Sequence, residues 1–225
     1  MTRPWEGVRW FVDVEGNGAR LSEIVELGAV ETMDLEPTGR SLRWLVKPTE
    51  PIDPYATRVH GIRDEDVADR QELAFHVPEI MSHLQGAGVG GHAVHGDLDI
   101  MTRGLPGWRA SSAIDSLNLV TNLVEKEGGH RLSAMVEHFG LDGRIRSMVG
   151  GRAHSAVYDA MASALVVKTL RDTIRPSRFD DAFRQAESLE RWDRMVQNRI
   201  RKAEKAQRDA VVHQQRRAMR DASGR

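Results

Sequence analysis

The sequence contains no cysteine among its 225 residues. This absence excludes disulfides, thiolate zinc sites and a cysteine nucleophile. A metal ion could be held only by oxygen or imidazole ligands, and hard oxygen ligands favour Mg²⁺ or Mn²⁺. No apolar run approaches the roughly 20 residues of a membrane helix, and the first residues do not resemble a signal peptide. We therefore expect a cytoplasmic protein without a membrane partner.

The chain also lacks an excess of charge of either sign, because its formal net charge is −1. A protein that wraps long duplex DNA is usually more basic, whereas an enzyme that grips a few nucleotides at an end has no such need. Hydrophobic residues make up 40% and charged residues 29% of the chain, a balance that is ordinary for a globular protein. Composition thus leaves the partner open.

Strand-forming residues dominate the first part of the chain. Strands are predicted at 8–14, 24–32 and 42–46, and turn signals at 15–18 and 37–39 favour an antiparallel meander. Farther along, short strands at 86–91 and 112–115 alternate with helices, which are predicted at 77–84, 97–103, 116–125, 132–139 and 156–173. Strands followed by strand–helix alternation predict an α/β fold in which helices flank a mixed sheet.

Pro176 is predicted to end this body, which divides the chain into a domain at 1–175 and a helical tail at 176–225. The stretch 179–220 has neither proline nor glycine, and basic residues surround an apolar stripe that includes Leu189 and Trp192. We expect a basic amphipathic helix. Three roles stay open for it: packing on its own domain, pairing with a second copy or another protein, and salt-dependent grip on a nucleic-acid backbone.

Two carboxylates, Asp13 and Glu15, lie at the end of the first predicted strand. Residues at i and i+2 share a face of a strand, so the two acids would repel each other unless a cation lay between them. The pair alone is a weak signal, because Asp34 and Glu36 repeat it in a polar stretch that favours a turn.

Two further groups carry acids near predicted helix starts. His154 precedes the strongest predicted helix and Asp159 lies in its first turns. Asp97 follows the short glycine-rich strand, and Asp99 lies two residues farther on. Each of these acids has an ordinary explanation in helix capping or the helix dipole. The choice between Asp97 and Asp99 stays open, with Asp97 favoured by its distance from His92.

The order of these elements resembles the DEDDh branch of the 3′–5′ exonucleases. That branch includes the proofreading subunit of bacterial replicative polymerase, oligoribonuclease and RNase T. Subsidiary stretches agree with the resemblance over roughly residues 8–172, namely 23–30, 60–67, 114–117 and 132–141. Two departures are evident. Gly16 stands where the family commonly has threonine, and the motif 92–97 lacks the family's asparagine and phenylalanine.

The resemblance implies a ribonuclease H-like fold and a two-metal site. Four acids would hold two Mg²⁺ or Mn²⁺ ions, and His154 would act as general base. The implied metal ligands are Asp13, Glu15, Asp97 and Asp159.

The resemblance also implies the substrate, a single-stranded DNA or RNA 3′ end that is shortened to nucleoside 5′-monophosphates. Glu15 and the backbone of Gly16, Asn17 and Gly18 would meet the terminal sugar, since glycine permits close approach. Two other classes remain open: an inactive exonuclease-like module that binds nucleic acid or protein, and an endonuclease on the same scaffold. The sequence does not separate DNA from RNA, or proofreading from trimming of free ends.

Overall fold

A computed structural model describes residues 3–125, 128–187, 189–190, 192–194 and 201. Within these residues the strands are β1 (Val8–Gly16), β2 (Ile24–Met33), β3 (Glu36–Leu45), β4 (Gly88–Gly91) and β5 (Ser112–Asp115). The helices are α1 (Pro54–His60), α2 (Asp64–Val67), α3 (Leu73–Leu84), α4 (His95–Gly104), α5 (Ser116–Leu123), α6 (Leu132–His138), α7 (Asp142–Val149), α8 (Ala156–Thr173) and α9 (Pro176–Ala186).

The sheet is mixed, as the sequence predicts. Its order is β3-β2-β1-β4-β5. The first three strands form the predicted antiparallel meander, and β4 runs parallel to β1 and β5. Because parallel neighbours end at the same edge, the chain leaves β4 beside the end of β1. That edge therefore receives residues from distant parts of the sequence.

Helices cover both faces of the sheet. Phe11 of β1 belongs to the large buried cluster that contains the apolar face of α8. The next-door Trp10 points to the opposite face, where its ring lies 5.9 Å from that of His83 in α3. Strand β2 is buried from Ile24 to Val30, as expected of a strand covered on both faces. The predicted sheet with flanking helices is confirmed.

The turn between β2 and β3 lies earlier than predicted. Asp34 and Leu35 form it, with φ of 52° and 65°, and β3 already contains Pro37 and Gly39. The Asp34 carboxylate accepts a hydrogen bond of 2.6 Å from the Gly7 N–H, and Leu35 is fully buried. These contacts offset the strain of left-handed backbone at two non-glycine residues. A rule that seeks glycine and proline misses such a turn.

The sequence analysis did not predict α1, α2 or α7. All three are short, and each buries only one or two side chains, so no apolar stripe reveals them. Helix α3 begins earlier than predicted, with Pro78 inside it. Among the described helices, none has the length and apolar character that crossing a bilayer requires.

Residues assigned by sequence to the tail form α9, and Phe179 and Phe183 of this helix are buried in the same cluster as α8. The first compact unit accordingly runs from Met1 to Leu189 and the second from Glu190 to Arg225, so the division lies after the boundary predicted at 175/176. Most of the second unit falls outside the described residues, and its amphipathic helix stays a prediction.

Candidate active site

One strand end, that of β1, and two helix starts, those of α4 and α8, supply the acids at the sheet edge. Asp13 and Glu15 lie two residues apart near the end of β1, where the pairing with β2 shifts between Glu15 and Gly16. Asp97 lies in the first turn of α4. Its Oδ1 accepts a 3.0 Å hydrogen bond from the Val14 N–H, between the two strand acids. The third acid is thus tied to the strand that carries the first two.

Helix α8 brings the fourth acid and the histidine. Asp159 lies in its first turn, and the Asp159 Oδ2 accepts a 3.1 Å hydrogen bond from the His154 N–H. His154 Nδ1 lies 3.9 Å from the same oxygen. His154 has φ of 61°, a left-handed conformation that is uncommon outside glycine and frequent at functional positions. Its side chain is 57% exposed, against 14% for Asp159, so the ring is open to solvent.

Glu15, His154 and Asp159 converge across the sheet edge. One ligand atom from each of the three lies within 4.8 Å of the other two. Oxygen and imidazole ligands at such separations suit a divalent cation. The structure therefore brings together residues that the sequence separates by more than half of the chain.

The acids of the site lie close enough for their charges to shift one another's pKa values. Burial, followed by the charges of Asp97, Asp159 and Glu15, raises the pKa of Asp13 well above its usual range. Burial and the charges of Asp159 and Glu26 raise the pKa of Glu15 to about 7. Such a cluster is costly without a compensating positive charge.

The other two acids are shifted in the same direction. Burial raises the pKa of Asp97 to about 8, although the Val14 hydrogen bond opposes the shift. Burial raises the pKa of Asp159 to about 6, against the opposing hydrogen bond and charge of His154. A bound divalent cation would favour the ionised form of all four acids.

Asp97 and Asp99 have different surroundings. Asp99 Oδ2 lies 3.3 Å from Nε of Arg103, one turn along α4. Asp97 instead faces β1 through Val14 and is influenced by the charge of Glu15. The geometry favours Asp97 as the acid that accompanies Asp13 and Glu15.

The loop after Glu15 is shaped by internal packing. A Cβ on Gly16 would lie 2.1 Å from Oγ of Ser22, and one on Gly18 would lie 2.8 Å from Cβ of Asp53. Asn17 is fully buried, and its Oδ1 accepts hydrogen bonds from loop N–H groups, including that of Glu23 at 3.0 Å. The two glycines and Asn17 thus have structural reasons for their identity, and contact of their backbone with a substrate remains a proposal.

Sequence reasoning did not identify Glu26 as part of this region. Glu26 lies on β2 opposite Glu15, and its side chain is 1% exposed. Its Oε2 accepts a 2.9 Å hydrogen bond from the Ala156 N–H, the first residue of α8. An acid within the apolar run 24–30 was the available signal, but the sequence analysis used that run only as a predicted strand and as part of the resemblance.

The fold defines the class of protein first. A solved structure of exonuclease X, in complex with 5′-overhanging duplex DNA, matches 78% of this chain and 99% of its own. The TM-score is 0.56 at 22% sequence identity. This likeness identifies the ribonuclease H-like fold of exonucleases, which the resemblance implied.

The family follows from the sequence match. Residues 11–167 fit the family model of the RNase T type, described as exonuclease. Since this is more than half of the chain, the protein belongs to that exonuclease family. The expected membership is confirmed.

Two relatives lie on different sides of the DNA–RNA division. The chain is 29% identical over 153 residues to DNA polymerase III subunit epsilon of Pasteurella multocida, which covers 65% of this chain and 58% of that protein. It is 43% identical over 56 residues to human RNA exonuclease 4, which covers 25% of this chain and 13% of that protein. The chain thus spans little more than half of the first relative and a small part of the second.

Proposed function

We propose that this protein is a 3′–5′ exonuclease that releases nucleoside 5′-monophosphates from single-stranded nucleic-acid ends. The observation that carries the proposal is the meeting of the β1 acids Asp13 and Glu15 with Asp97, Asp159 and His154 at one sheet edge. The residue types and their order are those of the DEDDh exonucleases that the sequence resembles.

The donor set fits two divalent cations, Mg²⁺ or Mn²⁺. Asp13, Glu15, Asp97 and Asp159 would hold them, because burial and mutual repulsion raise the pKa values of these carboxyls, and bound cations would compensate their charges. Bound there, the cations would make a water molecule more acidic and stabilise negative charge on the leaving 3′-oxygen.

His154 is assigned the proton transfer. Its ring is the most exposed of the group, so it can meet a water molecule beside the substrate phosphate. With Nδ1 turned toward Asp159 Oδ2, Nε2 is the nitrogen proposed to accept the proton of the attacking water. Asp159 would then stabilise the protonated ring and hold its orientation.

The terminal sugar is placed beside Glu15 and the backbone of Gly16, Asn17 and Gly18. The loop is well suited to a fixed role, because Asn17 holds it from inside and the Asp53 N–H donates to the Asn17 carbonyl at 2.8 Å. DNA and RNA both remain candidate substrates. One relative is a DNA polymerase subunit and the other an RNA exonuclease.

The test is digestion of matched single-stranded DNA and RNA oligonucleotides that carry a label at the 5′ end, with Mg²⁺ or Mn²⁺. A ladder of labelled products that shortens from the 3′ end, with nucleoside 5′-monophosphates released, is expected. Release of the label in the first product would instead show 5′–3′ polarity.

Two controls separate the other classes. Cleavage of a circular single strand would identify an endonuclease, because an exonuclease has no end to start from. Binding of the linear strands without any cleavage, under either cation, would identify an inactive binding module. The ratio of the cleavage rates on the DNA and RNA oligonucleotides, measured with the same cation, shows whether deoxyribose or ribose is preferred.

A further inference from the structure

Helix α8 lacks a side-chain cap of its own. Ser155 occupies the N-cap position with extended backbone, but its hydroxyl makes no capping hydrogen bond. Ser155 Oγ donates to the Arg152 carbonyl at 2.9 Å instead. The first N–H groups of a helix have no partner within the helix and need one from outside.

Glu26 supplies that partner from the neighbouring strand. Its Oε2 accepts from the Ala156 N–H at 2.9 Å, across 130 positions of sequence. A carboxylate at a helix N-terminus is also favoured by the helix dipole. Its other oxygen, Oε1, accepts a hydrogen bond from Nε of Arg43 on β3, which fixes the direction of the carboxylate.

The backbone of β2 comes unusually close at the same point. A Cβ on Gly28 would lie 2.3 Å from the carbonyl carbon of Ala156 and 2.4 Å from the N of Val157. Gly28 pairs with Asp13 in the β1–β2 register, and Glu26 pairs with Glu15. The start of α8 is therefore held directly beside the two residues that pair with the β1 acids.

We propose that Glu26 is a positioning residue of the active site, whose carboxylate caps α8 from β2 and thereby sets His154 and Asp159 against Asp13 and Glu15. The inference rests on the proposed function for the roles of those four residues. His154 lies two residues before the capped N–H and Asp159 three residues after it. A shift at Ala156 would therefore move both of them relative to the strand.

Two conservative substitutions of Glu26 separate the length of its side chain from its negative charge. Glu26→Gln keeps an oxygen at the same distance from the Ala156 N–H but loses the negative charge. Glu26→Asp keeps the charge but is one methylene too short to reach. Glu23→Asp is the matched control, because the Glu23 carboxylate, just before β2, also accepts from a backbone N–H, that of Thr49 at 2.7 Å, and Thr49 lies outside α8.

Two readouts are measured for each protein with the full chain. The first is kcat and KM on a single-stranded oligonucleotide, and the second is hydrogen–deuterium exchange of the backbone at 156–159. We expect Glu26→Asp to lose protection there and to fall about 10²-fold in kcat, the usual cost of a displacement near 1 Å, with KM little changed. Glu26→Gln and Glu23→Asp should keep both properties close to those of the unsubstituted protein.

The opposite ranking overturns the proposal: if Glu26→Gln is slow and Glu26→Asp is not, the charge matters and the cap does not. Equal loss, or no loss, in both Glu26 variants also rejects it. If the unsubstituted protein does not cleave from the 3′ end, the proposed function fails, while exchange at 156–159 still decides whether Glu26 caps α8.

Discussion

At the scale of single residues, the acids of the site repel one another, and the same charges would attract a divalent cation. Asp13 stands at the centre, since its pKa is raised first by burial and then by Asp97, Asp159 and Glu15. We expect Asp13→Asn to abolish cleavage, because it removes a carboxylate that is proposed to hold the cations. Without metal, the same change should stabilise the fold by on the order of 1 kcal/mol, the scale of one pKa unit.

Cleavage assays at saturating Mg²⁺ and urea unfolding in EDTA check the two halves of that prediction. Asp99→Asn serves as the control, because Asp99 lies beside Arg103 on α4. It should leave both rate and stability nearly unchanged. Normal turnover in Asp13→Asn would show that the site has been misplaced.

The raised pKa values also predict how stability depends on pH. The pKa is about 6 for Asp159, about 7 for Glu15 and about 8 for Asp97, against roughly 4 for such groups in an unfolded chain. Between these limits the folded state holds more protons than the unfolded state. The free energy of unfolding of the metal-free protein should therefore fall as pH rises from about 5 to about 8.

Urea unfolding in EDTA across that range measures the slope. Saturating Mg²⁺ should flatten it, because a bound cation compensates the same carboxylates that protons otherwise neutralise. A metal-free protein that becomes more stable toward pH 8 would contradict this account of the site.

His154 yields a separate prediction, because loss of a general base lowers the rate, whereas loss of a metal ligand lowers the affinity for the cation. His154→Ala should lower kcat by roughly 10²–10⁴-fold and remove the acidic limb of the pH–rate profile. Mn²⁺ affinity, measured by calorimetry, should change little. Since a ring nitrogen of His154 lies within 4.8 Å of ligand atoms of Glu15 and Asp159, a large loss of affinity would instead identify His154 as a ligand.

The sequence predicted the members of the candidate site only as a set. Taken alone, each pair has a structural explanation: Asp13 and Glu15 as a polar strand end, His154 and Asp159 as residues at a helix start. The inference came from the order of the pairs along the chain. The role of Glu26 was not predicted, because its hydrogen-bond partner, the Ala156 N–H, lies 130 positions away in the sequence. No local pattern reports a contact at that separation, whereas the strand and helix periods that predicted β2 and α8 are local.

At the scale of elements, the contact between β2 and the start of α8 determines the spacing of the site. Gly28→Ala would place a methyl carbon 2.3 Å from the Ala156 backbone, so the helix or the strand must move. We expect a destabilisation of about 1–3 kcal/mol, typical of overpacking, together with a loss of activity. Thermal unfolding and initial rates provide the measurement.

Gly143→Ala is the control for that experiment. Gly143 lies in α7, and a Cβ there would meet nothing within 4 Å. Alanine should raise stability by up to about 1 kcal/mol, because it favours a helix more than glycine does, and activity should be retained. If the Gly28→Ala protein were as stable and active as the Gly143→Ala protein, the contact between β2 and α8 would not determine the spacing of the site.

The elements differed in how well their sequences revealed them. Helix α8 and strand β5 have the predicted bounds, because α8 has a long apolar repeat and β5 a short apolar run between polar residues. The β2–β3 turn did not follow turn chemistry, since burial of Leu35 and the Asp34–Gly7 hydrogen bond decide it. Those contacts are tertiary, and a local rule does not contain them.

At the scale of the whole molecule, the division at Leu189 predicts where the chain can be shortened. A chain ending at Leu189 keeps α9 and should fold and cleave short oligonucleotides. A chain ending at Arg175 loses Phe179 and Phe183 from the core. Each costs roughly 3–5 kcal/mol when truncated to alanine, so the loss is comparable to the total stability of a domain. Circular dichroism and thermal unfolding of the two proteins distinguish these outcomes.

The longer of these proteins also tests the three roles of the tail. Loss of dimers in light scattering would support pairing, and weaker binding of long substrates at low salt would support grip on a nucleic-acid backbone. A protein that ends at Leu189 yet is unfolded would place the remaining residues in the core and reject both ideas.

Strand β5 lies at the edge of the sheet, and the chain closes that edge just after α9. Glu187 Oε1 accepts a 2.7 Å hydrogen bond from the Ala113 N–H, and the Glu187 backbone forms a β-bridge with Ile114. An edge strand with open backbone groups invites pairing with another molecule and aggregation. Precipitation of a chain that ends at Ala186, and so keeps α9, would therefore indicate that the β5 edge is open. It would carry no information about what the tail binds.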